Sequence, residues 1–196
     1  MKKMYKCCAP LLATSLLFLG ACANIPARNH TESIPAGEAE DGWSSESGES
    51  TVSVAFEARD MEGNTVSSDI FSQTRLTMIN VWATYCNPCL REMPDLGELA
   101  GEYGADEFRI VGVISDVMEG SDQKILDYAA DLVEQTGADY PHLLRNESLY
   151  YALLTDVVAV PTTFFIDENG VILDTVVGSM KKSAWEEKIN GLLEKE

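Results

Sequence analysis

The chain is short of cysteine, basic residues and histidine: five Cys, 14 Lys plus Arg against 32 Asp plus Glu, and two His. The shortage of cations leaves a formal net charge of −18. So acidic a surface repels phosphate backbones and anionic lipid head groups, which argues against a nucleic-acid-binding protein. Structural zinc takes four ligands, commonly Cys or His. Past residue 22 only Cys86, Cys89, His30 and His142 remain, and His30 lies in a polar stretch, so no metal site is expected. The apolar run Leu11–Leu19 falls short of the roughly 20 residues that a membrane-spanning helix needs. No internal repeat is visible.

What is present begins with an export signal. Lys2, Lys3 and Lys6 precede the apolar run, and Gly20-Ala21 supplies the small residues of a cleavage site. The run ends Leu19-Gly20-Ala21-Cys22, which resembles a bacterial lipobox. That resemblance implies cleavage before Cys22 and a diacylglycerol on its sulfur, with Cys7 and Cys8 discarded. The alternative is an ordinary signal peptide with Cys22 incidental. Residues 22–50 are rich in Gly, Ser, Glu and Pro and too poor in apolar side chains to offset chain entropy, so they read as a flexible acidic tether. Without the three signal lysines the balance is 11 basic against 32 acidic residues, a net of −21. A covalent lipid, not charge, would then hold the protein at a membrane. Residues 51–196 have the length of one domain. The expected organisation is a lipoprotein signal peptide at 1–21, the tether at 22–50 and a folded domain at 51–196.

In that domain Thr51–Phe56 alternates apolar and polar residues, as Thr65–Phe71 does loosely, with a turn at residues 61–64; this predicts an antiparallel hairpin. Leu76–Ala83 and Phe108–Ser115 are nearly continuous apolar runs, as in strands covered on both faces. Helical spacing starts at Cys89 and runs through Met93, Leu96, Leu99, Ala100 and Tyr103. Pro94 removes the bond to the Leu90 carbonyl and predicts a kink. Ser121 is a candidate cap for a helix with Ile125, Tyr128, Ala129, Leu132 and Val133 inward, ended by Gly137. Asn146 is placed to cap a short helix. Thr162–Asp167 and Val171–Val177 predict a second hairpin around Glu168-Asn169-Gly170. Ser183 and Glu186 form a capping box for a last helix that buries Trp185, Ile189, Leu192 and Leu193. Strands alternating with helices, closed by a hairpin, predict an α/β fold with a mixed central sheet and helices on both faces.

The chemistry lies in Cys86-Asn87-Pro88-Cys89. A disulfide stabilises more as its loop grows. This loop encloses only Asn87 and Pro88, so a bridge there does little for the fold and reads as one that is made and broken. The pair follows a strand and opens a helix, where unpaired N–H groups favour a thiolate at Cys86. Pro88 suits the first helical turn, which tolerates a missing N–H.

The run Val81-Trp82-Ala83-Thr84-Tyr85-Cys86-Asn87-Pro88-Cys89, followed by Glu92-Met93-Pro94, resembles the thioredoxin superfamily. More narrowly it is similar to the TlpA/ResA-like thiol-disulfide oxidoreductases, which are exported and often membrane-anchored. The resemblance implies a thioredoxin-like fold with an added N-terminal hairpin. It implies Cys86 as nucleophile, Cys89 as resolving thiol and Glu92 as a proton-handling group, for which partial burial would raise the pKa. The other reading of Glu92 is a solvated helix glutamate. Val160-Pro161-Thr162 is similar to the family's cis-proline loop. These three residues, with Trp82, Asn87 and Pro88, would form the substrate-binding surface. Asn80 stands where cytoplasmic thioredoxins carry a buried aspartate, and Tyr85 where many relatives carry tryptophan.

The activity implied is reduction of disulfides in exported proteins such as apocytochrome c or a methionine sulfoxide reductase. Electrons would come from a membrane protein of the CcdA/DsbD type, with no cofactor and with the chain a monomer. An oxidase that donates its disulfide uses the same residues. A peroxiredoxin-like peroxidase would consume peroxide, and a non-catalytic binding lipoprotein would keep full function without either thiol.

Overall fold

The computed structural model describes residues 53–195. The signal peptide, Cys22, the tether and the first residues of the expected leading strand lie outside them. Among the described residues no helix is long and apolar enough to cross a membrane.

Five strands form the central sheet: β3 (Leu76–Trp82), β4 (Phe108–Met118), β5 (His142–Arg145), β6 (Thr162–Asp167) and β7 (Ile172–Val177), in the spatial order β5-β4-β3-β6-β7. β3, β4 and β5 run parallel, while β6 and β7 are antiparallel to their neighbours, so the sheet is mixed. Every residue of β3 is buried, as expected of a strand covered on both faces.

Alternation along β3 divides the core. Leu76, Met78 and Trp82 face the helices α1 (Asn87–Ala100), α2 (Gln123–Thr136) and α4 (Lys182–Leu193). Ile79 and Val81 face the N-terminal segment and the short helix α3 (Glu147–Leu149) with its continuation Tyr150–Leu154. The small leading sheet pairs β1 (Glu57–Arg59) with β2 (Thr65–Ser67). The architecture is the expected α/β sandwich with an added hairpin, and it is thioredoxin-like.

Several local expectations are corrected. The hairpin arms are shorter and shifted. Val54, Phe56 and Ala58 are buried in alternation, but Val54 N–H donates to the Gly170 carbonyl at the β6–β7 turn instead of to a hairpin partner. The second arm stops at Ser67, whose side chain caps a 3₁₀ turn over Ser68–Gln73. β5, a four-residue strand, was not anticipated. The N-cap position of α2 is Asp122, whose side chain makes no capping bond, and the Ser121 hydroxyl accepts the Met118 N–H. Ala129 and Leu132 of its inward face are buried, but Ile125 and Tyr128 are exposed. Gly137 does end α2, in the left-handed conformation at φ 64° that glycine tolerates. α1 runs through Pro94 as one element.

The capping box at Ser183 does not form. α4 begins at Lys182, and its entry N–H groups donate to α1: Met180 N–H to Glu92 Oε2 and Lys182 N–H to Asp95 Oδ2. One turn of α1 therefore performs the capping that the local sequence of α4 predicts for Ser183 and Glu186.

Candidate active site

Cys86 is the N-cap of α1, with extended backbone (φ −86°, ψ 92°). Its sulfur is bonded to that of Cys89, with 5.3 Å between the Cα atoms. The two cysteines are not equivalent. Cys86 retains 5% exposure and Cys89 none. The Cys89 N–H donates to Cys86 Sγ at 3.2 Å, one of the unpaired donors of the helix start. A sulfur in this place is positioned for negative charge to be favoured there. The Val160 carbonyl oxygen lies 3.5 Å from Cys86 Sγ, and the Val160–Pro161 peptide is cis. Sequence reasoning placed this loop beside the cysteines, and the structure brings the two together.

The remaining expected site residues fall into two groups. Asn87 and Pro88 are exposed beside the disulfide and Val160 is half-buried. Pro161 is buried, and Thr162 is buried with its hydroxyl donating to the Ala159 carbonyl, so it braces the loop. Trp82 does not belong to a contact surface: it is completely buried, packed with Cys89 and Met93 beneath the site.

Trp82 instead anchors β5. Its Nε1–H donates to His142 Nδ1 at 3.1 Å, while His142 Nε2 lies 3.0 Å from the Ala138 carbonyl. Together these bonds fix the neutral tautomer with the proton on Nε2. Burial opposes the charged form and pushes the His142 pKa down to about 4. Trp82→Phe leaves Nδ1 as a buried acceptor without a donor. The expected loss of stability is about 1–2 kcal/mol, read from the urea midpoint at unchanged slope.

Glu92 is buried at 3% exposure on α1, one turn past Cys89. Its carboxylate accepts from Met180 N–H and from Asn80 Nδ2, and Asn80 also donates to Thr163 Oγ1. Desolvation dominates these bonds and lifts the Glu92 pKa to about 7 from the ordinary 4.5. The Trp185 indole N–H adds a small lowering influence without a well-aligned hydrogen bond, and Asp95 adds a small raising one. Glu92 is thus not the solvated glutamate of the alternative reading. Tyr140, half-buried with its hydroxyl shut away from solvent, is pushed up first by desolvation and then by the charge of Glu92. The sequence signalled Glu92 by its spacing from Cys89, but nothing in it announced Tyr140 or the Met180 contact. Among the described residues no three metal-ligating side chains come together.

A profile described as the AhpC/TSA family matches residues 51–175. The chain belongs to this family. Among its relatives, the thioredoxin-like protein YneN of Bacillus subtilis is 35% identical over 113 residues, 58% of this chain and 62% of that one. The thiol:disulfide interchange protein DsbE of Escherichia coli K12 is 31% identical over 140 residues, 71% of this chain and 70% of that one. The crystal structure of an exposed lipoprotein thioredoxin from Streptococcus pneumoniae superposes with a TM-score of 0.58 at 26% identity, covering 70% of this chain and 98% of that one. Within the family the chain stands among the thiol-disulfide oxidoreductases of the ResA and DsbE type, and it is an enzyme of that class.

Proposed function

We propose that the protein reduces disulfides of exported proteins outside the cytoplasm, tethered by a lipid on Cys22. The observation that carries this reading is the asymmetry of the two sulfurs. Cys86, at a helix start and beside Val160, keeps 5% exposure, while Cys89 keeps none. A partner can reach only the first sulfur, and only the second can resolve what forms.

The Cys86 thiolate attacks one sulfur of the partner disulfide. A mixed disulfide forms and the partner's other sulfur leaves as a thiolate, taking a proton from solvent. Cys89 then loses its proton and attacks Cys86 Sγ. The partner's second thiolate leaves, and the Cys86–Cys89 bridge carries the two electrons' worth of oxidation. Glu92, one turn from Cys89 and near half-ionised at neutral pH, is suited to accept the Cys89 proton. Pro161 and Thr162 hold the Val160 backbone outward, where a partner segment adds as a strand, with Asn87 and Pro88 at its rim. A membrane donor of the CcdA/DsbD type would return the electrons, and apocytochrome c or an exported methionine sulfoxide reductase would be targets.

Cys89→Ser is expected to accumulate partners bound through Cys86, identified by mass spectrometry after non-reducing electrophoresis. A variant that traps nothing yet keeps wild-type exchange activity would sink the mechanism. The direction is read from the reduction potential: below about −220 mV the pair is a reductant, and near −120 mV an oxidant.

A further inference from the structure

Next to Cys86 a cleft of about 300 Å³ opens between Tyr85 and Val160. Two large apolar side chains stand exposed on its rim. Tyr85 is 73% exposed and Val158 91%. Large apolar side chains left in water around a reactive atom mark a contact surface. The Val160 N–H has no hydrogen-bond partner among the described residues, so a segment can pair there.

The cleft also has a charge opposite to that of the protein. In a chain with net charge −18, the sole charged side chain lining it is Arg145. Its guanidinium lies 4.8 Å from the centre of the Tyr150 ring, another wall residue, and makes no ion pair with any described residue. A guanidinium held on an aromatic face keeps its N–H fork free for a carboxylate. We infer that the cleft selects protein segments whose reactive cysteine is flanked by an apolar residue and followed by an acidic side chain that pairs with Arg145. This rests on the proposed function and names the substrate class for the same site.

The global field predicts the reverse, since an acidic protein steers basic peptides toward itself. That makes the test sharp. Three peptides carry one cysteine beside phenylalanine and, a few residues on, Glu, Gln or Lys. Each is presented as its mixed disulfide with 2-mercaptoethanol to the reduced protein. The Cys86 thiolate attacks the peptide sulfur, 2-mercaptoethanol leaves as a thiolate and is protonated by solvent, and Cys89 closes the bridge and frees the peptide thiol.

The Glu peptide is expected to react about fivefold faster than the Lys peptide, as one partly exposed ion pair allows. The difference should fade at about 1 M salt, and Arg145→Glu should invert the order. Equal rates in the wild type, a Lys preference, or an unchanged order in Arg145→Glu overturn the inference. If that variant does not fold, the wild type decides: a Glu preference that persists undiminished in high salt also overturns it. Failure to reduce any of the peptides would instead strike at the proposed function, and the inference would fall with it.

Discussion

Gly112→Ala should cost about 3 kcal/mol of stability, at the upper end for overpacking a core. Gly112 lies in the middle of β4, between Asn80 of β3 and His142 of β5. A Cβ there would lie 2.1 Å from His142 Nδ1 and 2.7 Å from its Cε1. The ring is no flexible end that swings aside. It is fixed at both nitrogens by Trp82 and Ala138, and packed against Trp82 and Tyr140. Relief therefore breaks a buried hydrogen bond, parts β4 from β5, or both. Urea unfolding measures the loss. A double-mutant cycle with His142→Ala assigns it: without the ring, Gly112→Ala should cost at least 1 kcal/mol less, since contacting sites couple. Strictly additive losses would show that the ring is not what the methyl meets.

The same strand shows what a linear reading can and cannot recover. The reactive pair was legible because its physics is local. A tight Cys-x-x-Cys, a proline suited to a first helical turn and a buried strand just upstream all act within a dozen residues, and Cys86 does cap α1. Val160–Pro161 was legible only through resemblance, since nothing within its own neighbourhood places it 3.5 Å from Cys86. Partnerships across long sequence distances were not legible. His142 enters the sequence reading only in the count that argues against a zinc site, yet it folds into a neutral acceptor for an indole 60 residues away. Trp82 sits in the motif, where resemblance puts it on the contact surface, but β3 is covered on both faces and buries it. β5 was missed because four residues after Pro141 carry too little pattern, and only pairing with β4 makes them a strand. The capping box at Ser183 satisfied every local rule and lost to carboxylates supplied by α1.

Glu92→Gln should gain stability relative to the wild type as pH rises, by about 3 kcal/mol between pH 4.5 and 7. The sign follows from the proton counts. Folding raises the Glu92 pKa from 4.5 to about 7, so across that window the folded chain holds a proton that the unfolded chain has released. The stability of burying the neutral acid is complete below pH 4.5 and lost as pH climbs through 7. His142 works in the opposite sense. Folding lowers its pKa from 6.5 to about 4, so its contribution is complete above pH 6.5 and lost as pH falls through 4. Between about pH 4.5 and 6.5 the two slopes oppose each other and nearly cancel, which hides both groups in the wild type. Glutamine keeps the shape and an acceptor for Met180 N–H or Asn80 but removes the titration. The variant then exposes the His142 slope, and its stability climbs with pH where that of the wild type stays level. Urea midpoints taken at half-unit steps from pH 4 to 8 measure the difference between the curves, in which every group common to both cancels. A constant difference would mean that folding leaves the Glu92 pKa at its ordinary 4.5, ionised at neutral pH, and its part in passing the Cys89 proton would fail with it.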